Sequence, residues 1–139
     1  MTDSVLDRHL VELYRKAEYR VDRGPVLRVD QPSPELAQWH IRQAVDCSAF
    51  MTACNPRGQR VDERSNRRLT SQLAAVLAES GRVFVAGTGL DPSGDWPGEA
   101  SFLVAGLNLP TARSLGRRFD QNAVVWSGPD AVPHLILLR

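Results

Sequence analysis

The segment Ala49-Phe50-Met51-Thr52-Ala53-Cys54 narrows the available folds more than any other part of this chain. Side chains of a strand point alternately to its two faces, and this segment is apolar on both. A strand of that kind belongs at the centre of a sheet covered on two sides. Asn55-Pro56-Arg57-Gly58 then starts a loop. Beyond it, Leu69, Leu73, Val76 and Leu77 recur at helical spacing, with Ser65 as N-cap and Gly81 as the C′ residue. Arg82-Val83-Phe84-Val85-Ala86 reads as a second buried strand. Strand, helix and strand in this order predict a right-handed parallel βαβ unit.

The flanking segments extend the pattern. Leu6, Leu10, Leu13 and Ala17, with Val5 and Tyr14 beside them, predict an amphipathic helix over the first 18 residues, with Ser4 and Asp7 as a capping pair. Tyr19–Val21 and Val26–Val29 flank a Gly-Pro turn and predict a hairpin. Ser33 as N-cap and Pro34 at the first helical position open a short helix to about Val45, with Leu36, Trp39 and Ile41 as its packing residues. Gly87 to Glu99 reads as a long Gly/Pro loop, followed by a strand at Ser101–Ala105. A helix from Pro110 to Phe119 turns Ala112, Leu115 and Phe119 inward, and Ala123–Trp126 and His134–Leu138 form a last hairpin. The order α-ββ-α-β-α-β-β-α-β-β predicts an α/β (α+β) domain. Its single mixed sheet has five to seven strands and three or four packed helices, with βαβ units and terminal hairpins. One domain spans 1–139, divided into the helix of 1–18 and a core of 19–139.

Composition limits the function classes. A net charge of +1 gives no global pull toward nucleic acid or a polybasic membrane contact. No run approaches the ~20 apolar residues of a membrane span, and the polar start lacks the apolar core of a secretory signal. Cys47 and Cys54, on or beside one strand, would lie ~23 Å apart if extended. They are expected as free thiols, which suits a reducing cytoplasm. His9, His40 and His134 share no metal-ligand spacing, so no metal is expected, and no cofactor is specified.

Candidate binding residues lie where element ends converge on one sheet edge. Asn55 can orient a ligand through its amide, although Asn-Pro is also an ordinary turn start. Asn66 and Arg67 follow near the next helix start, where Asn66 serves equally as a capping residue and Arg67 suits a carboxylate or phosphate. Asp95 and Glu99, in the Gly/Pro loop, are the candidate acid/base groups, and Trp96 can stack on a flat ligand. Gln121 and Asn122 sit at a helix end, where a C-cap role is the ordinary account. Gly87-Thr88-Gly89 follows a strand but opens no helix, so it falls short of a phosphate loop. Arg57, Arg60, Arg64, Arg67 and Arg68 outnumber Asp62 and Glu63 locally. No aromatic residue is interleaved to stack on bases, which favours a solvated face over a nucleic-acid surface.

Taken together, Tyr19-Arg20-Val21, Gln31-Pro32-Ser33-Pro34, Thr52-Ala53 with Asn55-Pro56, Asn66-Arg67, Gly87-Thr88-Gly89, Gly94-Asp95-Trp96-Pro97, Ser101-Phe102-Leu103-Val104 and Arg118 to Val124 resemble a bacterial domain-of-unknown-function family, number 3293. The resemblance spans roughly Tyr14 to Leu138. It implies a small, stand-alone, bacterial cytoplasmic domain, and it brings no activity and no catalytic residues. From the residues themselves, the expected function is binding of a small anionic or nucleotide-like ligand in a sheet-edge pocket built from Asn55, Asn66, Arg67, Trp96, Gln121 and Asn122. The alternatives are a protein-interaction or regulatory module using the N-terminal helix or a sheet edge, and nucleic-acid binding through Arg57–Arg68.

Overall fold

A computed structural model of the chain describes residues 4–94 and 97–139. Its elements follow in the expected order: α1 (Arg8–Lys16), β1 (Glu18–Val21), β2 (Val26–Leu27), α2 (Pro34–Arg42), β3 (Ser48–Thr52), α3 (Glu63–Glu79), β4 (Phe84–Leu90), β5 (Glu99–Ala105), α4 (Leu109–Arg118), β6 (Ala123–Ser127) and β7 (Pro133–Leu137). The caps explain several boundaries. The Asp7 carboxylate accepts from the His9 N–H to open α1, Ser33 accepts from Leu36 N–H to open α2, and Asn108 accepts from Thr111 N–H to open α4. Asp62, rather than Ser65, is the N-cap of α3, so this helix begins earlier than its apolar periodicity suggested.

One seven-stranded sheet has the order β2-β1-β4-β5-β3-β6-β7. Every ladder in it is antiparallel. The expected helix crossovers are present, but the strands they join are not neighbours. β3 and β4 run parallel with β5 between them, and β5 and β6 run parallel with β3 between them. These are split βαβ units, and together they make the β-α-β-β-α-β ferredoxin-like arrangement. The β1–β2 hairpin extends this core beyond β4, and β7 extends it beyond β6. The directly paired parallel strands expected from the sequence are displaced because β5 folds back from β4 as a hairpin and occupies the vacant position.

The sheet is covered on both faces. On one face α3 and α4 supply Leu73, Leu77, Ala112 and Leu115, which pack on Ala49, Met51, Val104 and Val124. On the other face Leu36, Ala37 and Trp39 of α2 pack with Phe50, Leu103 and Val125. Phe50 and Met51 are consecutive residues of β3 in different cores, as the two-sided apolar pattern required. Ile41, expected in the α2 interface, is instead 70% exposed. Leu36 and His40, one helical turn apart, form the buried side of α2, and Ile41 falls outside that face. His40 meets Ser48 of β3 at 2.8 Å between Nε2 and Oγ. Cys47 and Cys54 are buried free thiols. Among the described residues, no helix is long and apolar enough to cross a membrane.

Candidate functional site

The Gly87-Thr88-Gly89 segment is part of a strand, not a loop. β4 continues to Leu90 and pairs with β1 on one side and β5 on the other. The register sets Tyr19 opposite Gly89 and Gly89 opposite Glu99, so one row across three strands reads Tyr19, Gly89, Glu99. The adjacent row on the same face reads Val21, Gly87, Ser101, Thr52. Gly89 and Ser101 therefore stand in the lining where a covered sheet would ordinarily carry bulky side chains, while the space over Gly87 is taken by the Arg20 carbonyl and the Phe50 ring. A hollow of about 110 Å³ results, and α1 lies over it. Leu10, Leu13, Tyr14 and Ala17 form the helix side of the hollow, and Tyr19, Phe50, Val125 and Leu135 contribute apolar walls. No residue of α1 is fully buried, so the helix behaves as a cover more than as a core element.

Glu99, the first residue of β5, brings a carboxyl group into this apolar space. Its Oε2 accepts from Asn55 Nδ2 at 2.7 Å. Asn55 itself is buried and adopts a left-handed conformation with φ of 49°, which asparagine tolerates better than most residues. Asn66 holds it in place: Asn66 Oδ1 accepts from the Asn55 N–H at 2.9 Å, and Asn66 Nδ2 donates to Asn55 Oδ1 at 3.0 Å. The Val61 N–H also donates to that oxygen. With its oxygen doubly engaged, the Asn55 amide has its NH₂ oriented to donate toward Glu99. Burial pushes the Glu99 carboxyl above the ordinary glutamate range, and the Asn55 hydrogen bond opposes that shift.

A second polar chain fixes α1 over the hollow. The Tyr19 hydroxyl donates to the Tyr14 carbonyl at 2.6 Å, and Asn122 Nδ2 donates to the Tyr14 hydroxyl at 3.0 Å. Arg139 donates to Asn122 Oδ1 at 3.2 Å. Burial raises the pKa of Tyr14, so its phenol keeps its proton. Gly58 takes part by being small: with φ of +71°, a Cβ there would stand 2.7 Å from Asn122 Nδ2.

The residues singled out in the sequence divide into three groups. Asn55, Glu99 and Gln121 line the hollow, and Asn66 and Asn122 orient lining residues from behind. Gln121 donates its NH₂ to the carbonyls of Cys54 and Phe119. Arg67 is not among the lining residues. Its side chain is 70% exposed and pairs with Glu63 at 3.6 Å on the outer surface of α3. Asp95 and Trp96 lie outside the described residues. Tyr14, Tyr19, Phe50 and Ser101 line the hollow without having been singled out as site residues. The signal for them was the two-residue alternation of Gly87 with Gly89 beside Glu99 and Ser101, which only becomes informative once the segment is known to be a strand. Among the described residues, no group of three or more His, Cys, Asp or Glu side chains is placed to hold a metal ion.

The fold and hollow together define an α+β domain with a ferredoxin-like core and a covered cavity on the sheet face opposite α3 and α4. The chain belongs to the family described as protein of unknown function (DUF3293), whose family model matches residues 51–124, more than half of the chain. No curated protein and no solved structure matches it.

Proposed function

We propose that this protein is a small-molecule-binding domain that takes its ligand between α1 and the sheet, with Glu99 as the polar anchor. The observation that carries this reading is the desolvated Glu99 carboxyl, held on one oxygen by a doubly locked asparagine and set among apolar walls. Glu99 is half-buried, and a stable core has no use for such a group, because desolvating a carboxyl without a charged partner costs stability. The hollow is the apolar concavity with a few convergent polar groups that ligand sites share. Its volume of about 110 Å³ is small. Pockets for drug-sized ligands run to roughly 300–1,000 Å³, so a nucleotide-like ligand does not suit it. An anionic ligand does not suit it either, because Arg67 faces solvent and the described lining contains no lysine or arginine. The Thr52 and Ser101 hydroxyls of the lining donate to backbone carbonyls and not to a general base, which favours binding over nucleophilic chemistry.

The protein-interaction alternative loses its main support, since the apolar stripe of α1 is turned onto the sheet. The test uses Gly89. A Cβ at this position would meet only Ser101 Oγ and Tyr19 Cδ1, both at 3.9 Å. Gly89→Val should therefore fold, while its methyl groups fill the hollow. Screening the wild type by NMR against compounds of four to eight heavy atoms should give hits that move the methyl signals of Leu10, Leu13, Val125 and Leu135, and Gly89→Val should abolish them. Hits that survive in Gly89→Val, or that cluster instead on a second, shallower groove lined by Leu69, Val76 and Phe119 on the α3 side, would refute this function.

A further inference from the structure

We propose that the head group this cavity takes is a protonated amine carried on a short apolar body, with Glu99 as its counter-ion. The inference rests on the cavity being the binding site and deepens that reading by naming the ligand's charge. Four observations converge on it. First, the Glu99 carboxyl lines a cavity with no lysine, arginine or histidine among the described lining residues. An anion entering here would meet like charge with no cation to offset it.

Second, the polar atoms not engaged by the protein are mainly acceptors. Asn55 holds Glu99 Oε2, while Glu99 Oε1 accepts no hydrogen bond from the described residues. Gln121 uses its NH₂ on two backbone carbonyls, which leaves its amide oxygen as an acceptor. The Thr52 hydroxyl is occupied, donating to the Ala100 carbonyl and accepting from the Cys54 N–H. The Ser101 hydroxyl already donates to the Glu99 carbonyl, so toward a ligand it accepts. The Tyr14 hydroxyl accepts from Asn122 and retains one hydrogen to donate. An ammonium group, which donates three hydrogen bonds and accepts none, matches this set.

Third, Tyr14, Tyr19 and Phe50 line the same space, with the rings of Tyr19 and Phe50 packed edge to face at 5.4 Å. Aromatic rings attract a cation through their π faces, more strongly where water is excluded. Fourth, the size is right for a small body. A cavity of about 150 Å³ accepts benzene. The volume here, about 110 Å³, suits a chain of roughly four to six heavy atoms.

The experiment is a titration at neutral pH with three four-carbon probes: n-butylamine, n-butanol and n-butyrate. Binding is followed through the methyl signals of Leu10, Leu13, Val125 and Leu135. Butylamine should bind about tenfold tighter than butanol, and butyrate should bind most weakly. Glu99→Gln keeps an acceptor for Asn55 and should remove the preference for the amine while leaving weak butanol binding. If butanol binds the wild type as tightly as butylamine, or butyrate binds best, the amine inference is overturned and the cavity reading stands. If none of the three moves those methyls, the binding site itself is refuted. The wild-type series decides the matter even if the variant fails to fold.

Discussion

Glu99 and His40 are two half-hidden or buried titratable side chains whose surroundings oppose their charge, and they make different demands on stability. Burial raises the Glu99 pKa above its ordinary 4.5. The folded state therefore binds this proton more tightly than the unfolded state. The stabilising contribution is fully present below pH 4.5 and is lost as pH rises through the folded value, so at neutral pH the ionised group weighs against the fold. Glu99→Gln should melt at a higher temperature than wild type at pH 7, with the gain shrinking toward zero below pH 4.5. Thermal melts across that range check this. His40 is the opposite case. Burial lowers its pKa below 6.5, and the Asp46 charge only partly offsets that. Its contribution is present above pH 6.5 and is lost as pH falls through the folded value, so the ring should titrate below 6.5 by NMR. Ser48→Ala removes its hydrogen-bond partner and should cost about 1–3 kcal/mol in denaturant melts.

At the scale of elements, β4 shows what the sequence revealed and what it hid. The strand expected at Arg82 to Ala86 was legible from its apolar run, and β4 takes it up from Phe84. The four residues beyond it were read as loop because glycine is rare in strand interiors and common in turns. Here Gly87 serves close approach, and Gly89 opens onto the hollow. A Cβ on Gly87 would stand 2.4 Å from the Arg20 carbonyl oxygen and 2.9 Å from the Phe50 ring. Gly87→Ala should therefore cost about 1–3 kcal/mol through overpacking, whereas Gly89→Val, two residues along the same face, should leave stability close to wild type. Denaturant unfolding of the pair distinguishes a strand with two differently used glycines from a flexible loop, in which both changes would be near neutral. The helices were more legible, since their caps and apolar stripes are local. Ile41 was misplaced because a hydrophobic residue two positions from Trp39 falls on a different part of the helix surface, which residue type alone does not reveal.

For the whole molecule, element order was readable but strand adjacency was not. A helix crossover returns the chain parallel to its first strand whether or not another strand lies between, and no residue of α3 records which. That adjacency builds the site: β5 sits between β3 and β4, and so places Glu99 beside Gly89 and within reach of Asn55. Asn55 and Asn66 were legible as polar residues at element ends. Their role as a lock on Glu99 required coordinates, because the partners are distant in sequence. Arg67, the residue from which an anionic ligand was expected, follows Asn66 directly, yet one step along a helix rotates the side chain by about 100°, and it points to solvent beside Glu63. All of this depends on Glu99 standing in a covered, poorly hydrated space. The direct test is the pH titration of its side-chain carboxyl carbon, followed by NMR in the wild-type protein. A midpoint above 4.5 is predicted; a midpoint at or below 4.5 would mean that water reaches the carboxyl freely and that no such cavity exists.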